Sequence, residues 1–174
     1  MTESEALVGA LLREARRRLL EECLPRIRKC LLELTEEEVW SRPNGESNSA
    51  GNLVLHLCGN VGQYILSGLG GAPDHRDRPK EFSARGGLPR AELLDRLERT
   101  MEAAGRVIDA LDARALLERR VVQGFDYDGV GILIHVIEHF SYHTGQIAYL
   151  VKARKGMDLG FYRGVDLNRT GRKS

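Results

Sequence analysis

Apolar residues recur at helical spacing from Ser4 to Leu34, through Leu7, Leu11, Leu12, Ala15, Leu19, Cys23, Ile27, Cys30 and Leu31, which predicts a first long helix. Pro25 falls inside that pattern, so the helix is expected to kink there or restart as a second segment. Thr35, followed by Glu36, Glu37 and Glu38, has the form of an N-cap with an acidic first turn and opens a short helix carrying Trp40. Ser41 to Ser47 is a loop by composition. A second helix is predicted from Asn48 or Ser49 through Leu66, with Leu53, Val54, Leu57, Cys58, Val61 and Ile65 on one face. Ser67 to Leu88, rich in Gly, Pro and alternating charge, is a long connection, and such connections tend to be functional. It is long enough for the third helix to run parallel to the second. That third helix opens at Pro89 and reaches about Leu111 through Leu93, Leu94, Leu97, Met101, Ala104 and Ile108. Asp112 to Tyr127 connects onward, with Arg119 to Val122 as a brief extended piece. A fourth helix, capped by Asp126 or Asp128, ends near Lys152 to Lys155 with Gly156 as its left-handed stop. Long amphipathic helices without a convincing run of strands give an all-α fold, a four-helix bundle.

Two polar stripes interrupt the apolar faces. On the second helix Asn52, His56, Asn60 and Gln63 recur at four, four and three, which places them on one face. A solvated face would show Lys or Glu, so these uncharged groups resemble the lining of a partly buried site, with a polar seam between helices as the other reading. On the fourth helix His135, His139 and His143 stand one turn apart, about 6 Å along the axis. Buried imidazoles without partners are costly, and two of them one turn apart can converge on one ion. His135 to His139 also spells the H-x-x-E-H motif of inverted zinc peptidases, but no glutamate follows Glu138 to complete such a site. The ferritin-like di-iron pattern, Glu-x-x-His on paired helices, is absent too. Beside the reading of the histidines as polar residues of a helix face satisfied by neighbours or water, the preferred one is a site that uses His139 and His143 and takes its third ligand from another helix.

The bulk properties narrow the class. The 174 residues suit one ordinary domain, expected over residues 1–162 with a basic, loose tail over 163–174. Lys and Arg number 26 against 25 Asp and Glu, a net charge of +1 that gives no reason to expect nucleic acid or an anionic membrane. The acidic start and the absence of a long apolar run argue against a signal peptide or a membrane span. Three cysteines, Cys23, Cys30 and Cys58, without a C-x-x-C pair suit buried reduced thiols in a cytoplasmic protein. His75, in the long connection, is expected to be exposed.

Asn48 to Gln63 in the second helix and His139 to Ile147 in the fourth, with Arg76-Asp77-Arg78-Pro79-Lys80-Glu81-Phe82 in the connection, resemble the DinB/YfiT-like family of bacterial metal-binding bundles, over essentially the whole chain to Tyr162. The resemblance implies an up-down-down-up bundle, usually a homodimer, with His56, His139 and His143 as ligands of a divalent transition ion, commonly zinc or nickel. His135 falls where that family has no ligand and is expected to support the others or fill the core. Some members transfer low-molecular-weight thiols to electrophiles, others open or isomerise small molecules. Three imidazoles leave an ion an open position, and such an ion lowers the pKa of bound water or stabilises a thiolate, so hydrolysis and thiol transfer are both chemically available. The expected function is a metal-dependent thiol S-transferase or hydrolase acting on a small molecule, with a non-catalytic metal- or partner-binding bundle as the alternative. Asn60, Gln63, Tyr142 and Gln146 are expected to orient substrate or the ligands' second nitrogens, Asn52 and His135 to line the pocket, and the Asp77 to Phe82 loop to cover the site.

Overall fold

The computed structural model describes residues 2–171, so the last three residues of the tail lie outside what is described. The chain is mostly helical. Its first long helix begins as α1 (Glu3–Arg16), where Thr2 and Glu5 form a reciprocal capping box. It widens into a π-helical segment (Arg17–Cys23) and resumes as α2 (Leu24–Leu32). Pro25 sits in the first turn of α2, where its missing N–H and fixed φ do least harm. The wider turn before it, closed by the Leu24 N–H on the Leu19 carbonyl, lets the helix restart as the sequence predicts.

Thr35 caps the short α3 (Glu36–Trp40), again with a capping box to Glu38. Ser49 caps α4 (Ala50–Val61), its side chain accepting from the Asn52 N–H. Nearly every residue of α4 is buried, because it packs at once against α3, a short helix of the crossover that follows and both later long helices. A helix enclosed on all sides cannot carry lysine or glutamate without a partner, which accounts for the uncharged stripe. It continues as a π-helical segment (Gly62–Leu69), where Gly70 N–H reaches the Ile65 carbonyl at 2.9 Å.

The crossover from Gly70 to Pro89 is extended up to Asp77, which caps a one-and-a-half-turn helix, α5 (Arg78–Ser83), that the sequence reading leaves as loop. Beyond it run α6 (Arg90–Asp109) and the short α7 (Ala113–Leu117). The expected all-α class is compatible with this largely helical chain, which also holds a small antiparallel hairpin of β1 (Arg119–Val122), where the sequence predicts a brief extended piece, and β2 (Phe125–Asp128), paired from Arg119 with Asp128 to Val122 with Phe125. Gln123 and Gly124 both take positive φ, 54° and 82°, the geometry of a two-residue hairpin turn whose twist matches the strands. The fourth long helix, α8 (Gly129–Lys155), is capped by Asp128, closed by Gly156 at φ 61° and basic in its last turn. Among the described residues no helix is long and apolar enough to cross a membrane.

One contiguous core joins these helices, with Tyr64, Phe140, Leu57, Met101 and Ile132 fully buried in it. The Trp40 ring lies against the backbone of Gly51, where a Cβ would come within 2.8 Å of it, and its indole N–H donates to the Leu88 carbonyl at 3.1 Å. Gly51→Ala should therefore overpack this contact and destabilise the protein by about 1–3 kcal/mol, read as a lower denaturant midpoint at unchanged slope. A midpoint equal to that of the parent would show that Trp40 is free to move aside.

Candidate metal centre

Helix α4 supplies His56 and helix α8 supplies His139 and His143. Their ring centroids form a near-equilateral triangle, 4.8, 4.9 and 4.5 Å on a side, and one ligand nitrogen from each lies within 4.8 Å of the others. His56 and His139 meet Nε2 to Nε2 at 3.0 Å. The four-residue spacing on α8 and the tight packing of α4 against it produce the convergence.

The partners of the outward nitrogens show how the rings are held. His56 Nδ1 lies 2.8 Å from Glu81 Oε2. A carboxylate only accepts, so the proton belongs on Nδ1 and the lone pair on Nε2. Arg76 Nη2 is 3.1 Å from the same Nδ1 but has Glu81 Oε2 at 3.1 Å as an acceptor. His143 Nδ1 lies 2.7 Å from Gln146 Oε1, and the same reasoning leaves its Nε2 as a bare donor. Two of the three imidazoles thus aim an unprotonated nitrogen at the centre of the triangle. His139 Nδ1 is buried without a hydrogen-bond partner. Three neutral nitrogen donors of this kind suit a divalent transition ion, so the cluster can hold one.

The electrostatics agree. Burial, then the neighbouring His143, His56 and His135 rings and Arg76, push the His139 imidazole down to about 3. Burial also lowers His143, against the Gln146 hydrogen bond that favours its charged form, and burial lowers His135. All three stay neutral near pH 7, which leaves His139 and His143 ready to coordinate.

The other expected site residues fall into distinct places. Tyr142 is 63% exposed and meets His143 edge-on, with ring centroids 5.1 Å apart. His135 stacks on Tyr64 at 4.2 Å and lies 5.5 Å from His139, outside the converging triangle. Asn60 puts its amide nitrogen 3.4 Å from His135 Nε2. Asn52 lies a turn before His56 and is wholly buried. Its amide donates to the carbonyls of Glu81 and Ala84, both at 2.9 Å, while its oxygen accepts from Ser49 and from Arg42. Arg42 also donates to the Phe82 carbonyl. Asn52 thereby pins α5 to α4 instead of facing the histidines. Gln63 holds Arg76 and Asp74. Glu138 is exposed, which sets aside the peptidase motif, and His75 is exposed as expected.

Sequence reasoning places Glu81 and Phe82 only within a covering loop and gives neither them nor Arg76 a separate part; the Phe82 ring sits 4.6 Å from that of His56. The signal was present as Asp77-Arg78-Pro79, an N-cap with proline in the first turn, which marks a helix and so a defined direction for Glu81.

Fold and site together describe a helical protein of the DinB-like class with a three-histidine centre. The chain belongs to the mycothiol-S-transferase family, whose model matches residues 15–156. The crystal structure of a conserved protein from Enterococcus faecalis is similar in fold, with a TM-score of 0.66 at 17% identity over 90% of this chain and 100% of that one. No curated protein matches the chain.

The lowered histidines make the metal-free protein sensitive to acid. An unfolded histidine titrates near 6.5, well above His139 at about 3 in the fold. The unfolded chain therefore binds more protons in that interval, so the contribution is fully present above pH 6.5 and is lost as pH falls towards 3. Chelator-treated protein should unfold at lower denaturant at pH 5.5 than at pH 7.5, and His139→Gln should narrow the difference. Equal midpoints at both pH values in the parent would contradict the assignment of neutral, desolvated imidazoles.

Proposed function

We propose that the protein is a divalent-metal-dependent thiol S-transferase, with His56, His139 and His143 as ligands of a zinc or nickel ion and a low-molecular-weight thiol, mycothiol or one of its chemistry, as sulfur donor. The observation that carries the reading is the convergence of three imidazole rings, two of them with a bare Nε2 turned inward, in a chain of a family named for thiol transfer. When bound, the ion supplies Lewis acidity and a coordination position that no residue of the triangle fills.

The chain's own residues do the rest. Gln146 and Glu81 fix the two tautomers that aim Nε2 inward. Phe82 closes over the His56 ring from the crossover and limits access of water on that side. The nucleophilic sulfur has to be brought in by a cofactor, because Cys23, Cys30 and Cys58 are all buried and burial pushes the Cys30 and Cys58 thiols up to about 11. The overall change is substitution at an electrophilic small molecule, in which the thiol loses its proton, a carbon–sulfur bond forms and the leaving group departs.

Finer points accompany this reading. An up-down-down-up order of the long helices is favoured by the length of the crossover between α4 and α6. Pairing as a homodimer is favoured by the exposed Ile134, Tyr142 and Tyr149 on α8. Free, buried thiols favour a reducing, cytoplasmic setting, and the domain is drawn over 1–162 with the tail outside it.

Purified protein should carry about one ion per chain, consume mycothiol with a chromogenic electrophile, and lose both properties in His143→Ala. In the cobalt-substituted protein, adding the thiol should shift the visible spectrum. Stoichiometric metal in His143→Ala would refute the ligand set, and a cobalt spectrum indifferent to thiols would leave a metal-binding bundle without transfer.

A further inference from the structure

The carboxylate that touches the histidine triangle does not come from a long helix. Glu81 sits on α5, within the crossover, with its side chain 8% exposed and Oε2 at 2.8 Å from His56 Nδ1. The Arg76 side chain, 4% exposed, grips it in a two-pronged pair, Nε to Oε1 at 2.8 Å and Nη2 to Oε2 at 3.1 Å. The grip extends outward: Arg76 Nη1 donates to Gln63 Oε1 at 2.9 Å, and Gln63 Nε2 donates to Asp74 Oδ2 at 2.8 Å. Asp74 also accepts from the Arg76 backbone N–H at 3.0 Å. A desolvated ion pair is expensive to build and seldom adds stability over an apolar filling, so packing alone does not explain it. The backbone of α4 makes room for it as well. A Cβ on Gly59 would lie 1.9 Å from Glu81 Oε1, so only glycine at that position admits the carboxylate.

We propose that Glu81 is the positioning residue of the metal centre, acting through His56, and that Arg76 holds it there so that docking of the crossover and affinity for the ion are one coupled equilibrium. This rests on the three-histidine centre proposed above. The carboxylate pins the proton of His56 on Nδ1 and turns Nε2 into the ion's donor. Its negative charge raises the electron density of that ring and with it the strength of the bond to the ion. Because Glu81 is carried by α5, an ion that binds more tightly to the docked crossover must favour docking by the same factor.

Competition against a chromogenic chelator reads the affinity for zinc directly, without turnover. Glu81→Gln keeps an acceptor for Nδ1–H but loses the charge, and should weaken zinc binding about 10–100-fold. Gly59→Ala should do the same without altering any polar group, because its methyl evicts the carboxylate. Glu138→Gln, on the exposed side of α8, serves as the unchanged control. Two further readings separate positioning from mere packing. Long-range proton–nitrogen spectra of the metal-free parent should show His56 as the Nδ1–H tautomer, and hydrogen exchange across residues 78–84 should slow on zinc addition in the parent far more than in Glu81→Gln.

Affinity in both variants equal to that of the parent, or an Nε2–H tautomer for His56, would overturn the proposal while leaving the three-histidine centre standing. A folded parent that takes up no zinc would overturn both.

Discussion

His56 and His139 bring two imidazole nitrogens to 3.0 Å of each other in largely buried surroundings, with His143 a short step away. Such a contact becomes a pair of ligands for one ion only when the rings are neutral and their protons point elsewhere, since like charges at this range in a poorly solvated place repel strongly; without an ion, an Nε2–H of one ring would donate to the lone pair of the other. The surroundings meet both conditions. Burial and mutual repulsion hold His139 and His143 in the neutral form, and Glu81 and Gln146 draw the protons of His56 and His143 outward. The inward lone pairs are then short of a partner of their own, and a divalent cation is the partner that their chemistry fits.

The architecture follows from that requirement. Two ligands on one helix need only a four-residue spacing, but the third must come from a helix that packs closely and is itself desolvated. Helix α4 is that element, buried almost throughout, and its close neighbours need glycine where they pass, Trp40 over Gly51 and Glu81 over Gly59. The crossover then serves as more than a connection. Asn52 pins α5 by two backbone carbonyls, Arg42 adds a third contact, and Arg76 clamps Glu81. Burial raises the Glu81 carboxyl, but its bonds to His56 and Arg76 prevail and keep it below the ordinary carboxylate range and ionised.

Much of this was legible in the sequence, and the reasons are specific. Helical periodicity and caps locate the long helices, since Thr35, Ser49, Asp128 and Gly156 act where their chemistry says they should. The histidine spacing on α8 and the uncharged stripe on α4 mark the site, because a fully enclosed helix must drop its lysines and glutamates. What could not be read were tertiary effects. The stripe's rhythm breaks after Asn60, where the chain widens into a π-helical segment, so that Gln63 serves Arg76. Asn52 reads as pocket lining but holds backbone, because the identity of its partners is settled by where the crossover lies. Glu81 stands among alternating charges in a Gly- and Pro-rich stretch, and the helix start at Asp77-Arg78-Pro79 does not say which long helix that turn packs on, so Glu81 and the exposed Lys80 beside it read alike. The hairpin was half visible, since β1 has extended character but the Gln123-Gly124 turn is a weaker signal than Asn-Gly or Asp-Gly.

The central claim is that one ion sits at a common point between three Nε2 atoms. Anomalous diffraction from crystals of the metal-loaded protein, recorded on either side of the zinc or nickel edge, tests it most directly. The account predicts a single strong peak between α4 and α8, about 2.0–2.1 Å from Nε2 of His56, His139 and His143 alike. A peak coordinated through Nδ1, one that leaves out His56, or one lying elsewhere on the chain would contradict it.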